Sequence, residues 1–490
     1  MSVIETRRRV PKTDQPPPEK ASLYANRVRV YPRTVKGMDR RVKWAIVAIC
    51  LGLYYAVPWL RWDRGPGRPN QAILLDIAHE RFFFFNLEYW PQDIYYLAGL
   101  LVLGAVLLFL VTSLFGRLWC GYTCPQTVWT DLFMQVERWL EGDRNERMRR
   151  DQRGFSFNRQ GLDKVWRKAA KHAIWAGIAF WTGGAWIMYF ADAPTTVAQF
   201  WSGTAAAPVY IYTFLFTATT YVLAGWAREQ VCTYMCPWPR FQSAMLDEQT
   251  ITVTYQTWRG EPRGHHVKQD AAAGASLGDC VDCMACVHAC PTGIDIRDGI
   301  QLECINCGLC VDACNEIMGK LGRPKWLINW DTLARQNARK EGQAEPPHLL
   351  RDLLRARTFV YLAVLLAAIS VMGVALAMRS QTAISVAHDR LPLFVRLTNG
   401  DVRNGYAVDI SNKSQRAADY ELTLVGPPGL RAAPAAKLAL HLAPDSIKDV
   451  RVWVSVPAQH AHGSQKLTFL LRNLTNGEHV RYESVFIGPQ

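Results

Sequence analysis

The sequence predicts a multi-domain membrane protein with three parts: a five-helix transmembrane α bundle, an α+β module rich in cysteine, and a C-terminal all-β, immunoglobulin-like sandwich. Three observations carry this reading. Five apolar runs, at about 42–60, 94–115, 170–190, 207–227 and 357–378, are long enough to cross a bilayer as helices. All thirteen cysteines lie between Cys50 and Cys314, and twelve of them fall into four tight clusters. The residues after 380 alternate apolar and polar positions between turn signals.

Residues 1–41 are basic and proline-bearing ("PKTDQPPPEK") and read as a disordered cytoplasmic arm. No apolar stretch precedes residue 44, so no secretory leader is expected. The formal charge of +14 would permit nucleic-acid binding, but its location argues otherwise. Residues 1–43 hold twelve Lys/Arg against four Asp/Glu, and residues 116–168 hold eleven against seven. Both blocks flank apolar spans, as the positive-inside rule requires of cytoplasmic segments. No nucleic-acid partner is expected.

Residues 42–255 read as a four-helix membrane domain. Its third and fourth spans ("HAIWAGIAFWTGGAWIMYF" and "APVYIYTFLFTATTYVLAGWA") are rich in aromatic and small residues, which favour helix packing in lipid. The loop 191–206 lacks Lys and Arg and suits the far side. The segment 72–85 ("AILLDIAHERFFFF") is broken by Asp76, His79, Glu80 and Arg81. It is expected to lie along the outer interface, with a substrate gate as the alternative. Residues 256–350 return to the cytoplasm, 351–380 form the fifth span, and 381–490 lie in the periplasm. That topology places the chain in a membrane, with the N-terminus and the cysteine-rich module on its basic, cytoplasmic side. The tail should hold six or seven short strands with a structural or docking role. His460, His462 and Met378 are its candidate ligand-binding residues.

Two cysteine runs define the cytoplasmic module. "CVDCMACVHACP" begins at Cys280 and "CINCGLCVDACN" at Cys304. Both have the C-x2-C-x2-C-x3-C spacing of a double-cubane bacterial ferredoxin, in which the fourth cysteine of each run ligates the other cluster. Cys280, Cys283, Cys286 and Cys314 are therefore expected to hold one 4Fe-4S cluster. Cys304, Cys307, Cys310 and Cys290 should hold the second. Two zinc sites are the competing reading, but four cysteines per run exceed a zinc ribbon's pairs. Asn315 stands where Pro291 has its counterpart.

Two further thiol pairs close with proline at the ends of spans: "CGYTCP" (Cys120, Cys124) and "CTYMCP" (Cys232, Cys236). Pro125 and Pro237 should push the preceding cysteine out of helical geometry. Four thiols could then converge at one depth, either as a metal site or as ordinary packing residues. Soft thiolates select Cu(I), zinc or iron–sulfur. Met134, Met235 and Met245 are nearby soft groups, and Arg117 and Arg240 could depress the thiol pKa values. Cys50, alone in mid-span, reads as packing. His172 reads as an interfacial residue or a haem or quinone contact, and "GHH" at 264–266 as a loop or a metal contact. Asn412 and Asn473 begin glycosylation sequons. No phosphate-binding or nucleotide fingerprint is present.

The layout resembles the CcoG/FixG/RdxA family of cytochrome oxidase accessory proteins, which are membrane polyferredoxins. The resemblance covers nearly the whole chain. It rests on "CGYTCPQTVWTD", "CTYMCPWPRFQSAMLDE" and the double run from Cys280 to Cys314. It implies cupric reductase activity, a metal-ion oxidoreduction from Cu(II) to Cu(I) during biogenesis of cbb3-type oxidase. Copper would be the substrate, two 4Fe-4S clusters the cofactors, and Cys120, Cys124, Cys232 and Cys236 the catalytic copper site. Implied partners are oxidase assembly factors, a copper chaperone or transporter, membrane lipid and an unidentified electron donor; homo-oligomerisation is left open. Alternatives are an electron relay between quinol and a partner enzyme, a non-catalytic assembly scaffold, and a further metal centre at the proline-closed thiols.

Overall fold

The computed structural model describes residues 29–65, 68–90, 93–154, 158–264, 277–343, 354–378, 380–414, 416–444 and 446–489. They belong to two compact units, Met1–Ile369 and Ser370–Gln490. In the first unit the helices before the cysteine-rich module are α1 (Met38–Ala56), α2 (Ile94–Phe115), α3 (Leu118–Tyr122), α4 (Pro125–Glu141), α5 (Arg144–Gln152), α6 (Arg159–Ile187), α7 (Ala193–Ser202) and α8 (Ala207–Thr220). Among the described residues four segments are long and apolar enough to cross a membrane: Met38–Trp59, Ile94–Phe115, Ala207–Ala227 and Ala356–Ala377.

The segment 170–190 is not among them. It falls in the C-terminal part of α6, where Lys171, His172 and "WTGGAW" hold its mean hydropathy down. It nevertheless packs tightly on α8. A Cβ added at Gly183 would stand 2.6 Å from the Thr213 carbonyl oxygen, so only a hydrogen fits there.

Residues 29–37 correct the expectation of a disordered arm, whose residues 1–28 lie outside those described. Arg33 N–H donates to the His288 carbonyl at 2.7 Å, Tyr31 to Asp151 at 2.7 Å, and Thr34 N–H to Asp143 at 2.9 Å. Arg147 reaches the Pro32 carbonyl at 2.6 Å. Backbone and side-chain partners thus order a stretch whose composition alone suggested disorder.

Two buried charge sets fix α4 in place. Asp131 pairs with Arg40 at 2.8 Å and Lys43 at 3.8 Å, both on α1. Glu137 faces Arg147 at 2.8 Å, Arg228 at 2.9 Å and Lys171 at 3.5 Å. The segment 72–85 forms most of a three-stranded antiparallel sheet: β1 (Ile73–Asp76), β2 (Arg81–Phe84) and β3 (Leu87–Tyr89). Leu75 N–H bonds the Tyr189 carbonyl at 2.8 Å, which ties this sheet to the end of α6.

The cysteine-rich module contains α9 (Trp238–Met245), β4 (Thr252–Tyr255), α10 (Thr257–Gly260), α11 (Ala285–Ala289), α12 (Leu309–Lys320), β5 (Ile328–Asp331) and α13 (Leu333–Lys340). β4 pairs antiparallel with β5, from Thr252↔Asp331 to Tyr255↔Ile328. The module's sheet therefore takes a strand from before the expected boundary at 255/256. The last long helix is α14 (Ala356–Ala377).

The second unit is a sandwich of two antiparallel sheets. One has the order β10-β12-β8-β6 with β7 beside β8, and the other β11-β9-β13-β14, where β9 is Ala418–Val425, β12 Ser446–Val456 and β14 His479–Ile487. The core alternates along each strand, as a half-buried strand must: Tyr406, Val408 and Ile410 on β8 (Val402–Asn412) face Leu467, Phe469 and Leu471 on β13 (Ser464–Asn473). β6 (Thr382–His388), β10 (Arg431–Ala433) and β11 (Lys437–Leu442) add to the six strand segments recognisable by alternation. Of the expected "LPLFVRLTNG" strand only Val395–Arg396 pairs, as β7. Asn412 and Asn473 are buried; Asn412 donates to the Arg416 and Ala443 carbonyls, and Asn473 accepts from Thr475 N–H. Neither presents its amide to a glycan.

Candidate metal centre

Each cysteine run begins as a loop and ends as a helix. Asp282 (φ 52°) and Met284 (φ 58°) flank Cys283, while Asn306 (φ 50°) and Gly308 (φ 71°) flank Cys307. Left-handed residues alternating with right-handed ones turn successive N–H groups into one concavity, the nest that receives anionic iron–sulfur groups. The two loops repeat this at equivalent positions.

The thiols gather into two sets. Cys314 lies within electrostatic range of Cys286, Cys283 and Cys280. Cys310 lies within electrostatic range of Cys307, Cys304, Cys290 and, least, Cys286, and these five line one cavity where the two sets meet. The fourth cysteine of each run therefore crosses to the other run's set. Burial pushes Cys286, Cys304 and Cys314 up to about 12. A bound metal deprotonates a coordinating thiol outright, so these donors suit metal binding far better than they suit free thiolates. Among the described residues no three His, Cys, Asp or Glu side chains come close enough to hold a single ion. Thiols around a cubane stand on its corners and are spaced wider than the ligands of one ion.

Asn315 follows from helix continuity. The first run stops at Cys290–Pro291 after the short α11, whereas α12 runs on through Asn315 to Lys320. Proline inside α12 would remove a helical N–H. The Asn315 side chain instead accepts Trp326 N–H at 2.7 Å.

The proline-closed pairs adopt the geometry their prolines impose. Cys120 is in α3, but Cys124 is extended (ψ 129°) ahead of Pro125 at the start of α4. Cys232 lies in the π turn Val231–Met235, and Cys236 is extended (ψ 122°) ahead of Pro237. Cys120 and Cys232 lie within electrostatic range of each other and of both Cys124 and Cys236. Burial raises Cys120 above the ordinary thiol value and pushes Cys232 up to about 12. Arg117 acts against burial at both and loses, which corrects the expectation of arginine-activated thiols. Met134 lines a cavity with Cys232, while Met235 is 63 % exposed.

The first pair is docked on the second cysteine run. Cys120 shares a small apolar cluster with Ile305, Cys307 and Leu309. A Cβ on Gly121 would stand 2.5 Å from the Ile305 carbonyl oxygen, so the two backbones touch. Tyr122 Oη donates to the Cys307 carbonyl at 3.2 Å, and Arg117 to the Leu302 carbonyl. The N-terminus of α1 joins the same assembly. Asp312 of α12 accepts the Arg40 N–H at 2.8 Å, and Asp39 accepts Trp330 Nε1–H at 3.1 Å.

Gln242, fully buried on α9, accepts the Cys120 thiol at 3.1 Å and donates to Thr112 at 3.2 Å. Neither it nor Tyr122 carries a sequence signal, because each acts through a fold contact. Cys50 is half-buried in α1, away from both thiol groups. Of "GHH", His265 and His266 lie outside the described residues. His460 and His462 are exposed or half-buried near Gln459, and Met378 is 79 % exposed.

Three families match the chain. The 4Fe-4S dicluster domain covers residues 227–333, the 4Fe-4S binding domain 97–144, and the IG-like fold at the C-terminal of FixG 372–489. Protein RdxB of Cereibacter sphaeroides is 45 % identical over 96 % of this chain and 99 % of its own length. Nitrogen fixation protein FixG of Rhizobium meliloti is 44 % identical over 95 % of this chain and 94 % of its own. Protein RdxA of C. sphaeroides is 46 % identical over 92 % and 93 %.

Proposed function

The chain belongs to the FixG family that includes RdxA and RdxB, and from that premise we propose that this iron–sulfur protein is a membrane-bound cupric reductase. The observation that carries the reading is the docking of Cys120–Tyr122 on the Ile305–Cys307 loop. A soft thiol site thereby adjoins a ferredoxin cysteine set through shared apolar packing.

Cys280, Cys283, Cys286 and Cys314 hold one 4Fe-4S cluster, and Cys304, Cys307, Cys310 and Cys290 the other. Bound there, the clusters supply one-electron transfer. Copper as substrate is held by two thiols at a time, drawn from Cys120, Cys124, Cys232 and Cys236, since no three of them come close enough to hold one ion, and their sulfurs favour Cu(I) over Cu(II). Gln242 orients the Cys120 thiol. Cu(I) then passes to a chaperone or transporter serving cbb3-type oxidase assembly. Five spans, the four apolar helices together with the segment 170–190 as the third in chain order, put the N-terminus and the ferredoxin module in the cytoplasm and the sandwich in the periplasm of a bacterial inner membrane.

The test is anaerobic. Dithionite-reduced protein, freed of excess reductant, receives Cu(II) with a Cu(I)-specific chromogenic chelator. Wild type is expected to form Cu(I) in proportion to cluster reoxidation, and the Cys232→Ser/Cys236→Ser variant to lose that yield. Equal Cu(I) from the variant removes the thiols from the copper site. The convergence of four thiols also favours a second reading, a third cluster. Iron per chain separates the two: about eight atoms for two cubanes and about twelve for three.

A further inference from the structure

A cavity of about 370 Å³ opens beside the buried carboxylates of α4. Its walls include His172 and Trp175 of α6, and Tyr221, Val222 and Trp226 of the π turn that continues α8. His172 Nδ1 lies 2.7 Å from the Tyr221 hydroxyl, and its ring meets Trp175 edge-on at 5.3 Å. Trp175 is held still: its Nε1–H donates to the Phe133 carbonyl at 2.9 Å, and Lys171 Nζ stands 4.9 Å from its ring centroid.

The cations around this space are already matched. Lys171 pairs with Glu141 at 2.8 Å, Arg228 with Glu137 at 2.9 Å, and Lys168 and Arg29 with Asp151 at 2.6 and 2.9 Å. A phosphate would have to compete with these carboxylates. A flat neutral ring with two polar oxygens meets aromatic walls and an imidazole–phenol pair, the usual make-up of a small-molecule pocket.

Position narrows the ligand further. Val222 and Trp226 belong to the candidate span Ala207–Ala227 and are 44 % and 68 % exposed. A ligand carried in the bilayer can enter there sideways. At the inner end, Arg228 and Glu229 line both this cavity and the one that holds Cys232, Thr292 and Ile305. Two residues thus separate the cavity from the surroundings of the thiol site.

We propose that this cavity binds the headgroup of a membrane quinol and that His172 is the base for its oxidation. This rests on the cupric-reductase reading and names its electron donor. The quinol loses two hydroxyl protons and two electrons and becomes the quinone; two Cu(II) ions each take one electron and become Cu(I). The tautomer that donates Nδ1–H to Tyr221 leaves His172 Nε2 free to take one proton. The other proton leaves to water at the open mouth.

The test uses iron-loaded full-length protein in lipid nanodiscs. An azido derivative of decyl-ubiquinone is expected to cross-link within 168–175 or 221–229. Excess decyl-ubiquinone should suppress the label, and Val222→Trp, which fills the mouth, should abolish it. Decyl-ubiquinol should bleach the iron–sulfur absorbance of wild type, and that of His172→Gln about a hundredfold more slowly, the lower range for a lost general base. Dithionite should bleach all three proteins alike, which verifies their folding. Labelling elsewhere, labelling that survives Val222→Trp, or wild-type bleaching of His172→Gln each overturns the proposal. If the azido probe labels the cavity and decyl-ubiquinol bleaches the clusters but Cu(II) stays unreduced, the quinol site stands and the cupric-reductase reading falls. If dithionite-reduced protein forms Cu(I) while decyl-ubiquinol neither labels nor bleaches, the quinol site falls alone.

Discussion

Glu137 shows how much one side chain can organise. It is 1 % exposed and serves Arg147, Lys171, Arg228 and, at 3.6 Å, Arg29 together, four cations drawn from different parts of the chain. Burial alone would raise its pKa, yet Arg228, Arg147 and Lys171 outweigh burial and bring it down to about 2. Removing the charge strands the cations, and breaking a buried pair in this way costs about 3–5 kcal/mol. Glu137→Gln should therefore lower the thermal midpoint at neutral pH by many degrees. The folded pKa is below the unfolded one, so the stabilisation is complete above about 4.5 and fades as pH falls toward 2. The midpoint gap between wild type and Glu137→Gln, measured by scanning calorimetry in detergent, should narrow from pH 7 to pH 4. A gap independent of pH would mean that Glu137 acts through packing.

Among elements, the α3 turn decides how the thiol site meets the ferredoxin module. Gly121 has no Cβ because the Ile305 and Asn306 carbonyls lie 2.5 and 3.0 Å from where it would be, and neither is a flexible side-chain end. Gly121→Val must push α3 off that loop, at about 1–3 kcal/mol for overpacking. Iron per chain should stay at the wild-type value. Cu(I) formation by dithionite-reduced protein should fall toward the roughly hundredfold loss that 1 Å of misplacement can bring. Full-rate Cu(I) formation with the valine in place would show that this docking is structural only. The same turn marks how far sequence reasoning reaches. Proline at 125 and 237 announced the extended cysteines before any coordinates, because the constraint is local. The contact of Gly121 with Ile305 spans 184 positions and leaves no mark in either segment's pattern.

Across the whole molecule, the C-terminal unit has a core of its own, from Val386 on β6 to Phe486 on β14 (His479–Ile487). A fragment of residues 380–490 should fold by itself and unfold in one cooperative step, followed by circular dichroism. Tyr406, fully buried, donates its hydroxyl to the Val485 carbonyl at 2.7 Å. Tyr406→Phe should cost about 1 kcal/mol, or about 4–8 °C in a domain of this size. A fragment that stays unfolded would mean that the sandwich depends on the rest of the chain. The first unit makes the opposite case. Asp312 caps α1 and Tyr122 bonds Cys307, so the expected membrane domain and ferredoxin module fold as one body.

The cysteine clusters, the sandwich and four of the five expected spans were legible in the sequence, because each rests on spacing or periodicity within a short stretch. The exchange of Cys290 and Cys314 was expected from the two-cluster ferredoxin spacing, and the structure places Cys314 near Cys280, Cys283 and Cys286, and Cys310 near Cys290. Composition misread residues 29–37 as disordered, and it gave no sign of the strands at 73–89 or of the continuation of α12 past Asn315. Those depend on partners far along the chain: Asp143 and Asp151 for the arm, Tyr189 for β1, and Trp326 for Asn315. Only the tertiary structure set the thiols of Cys120 and Cys232 deep enough for burial to outweigh Arg117, and placed Gln242 against one of them. Desolvation is a property of the packed environment, and no local pattern of residues encodes it.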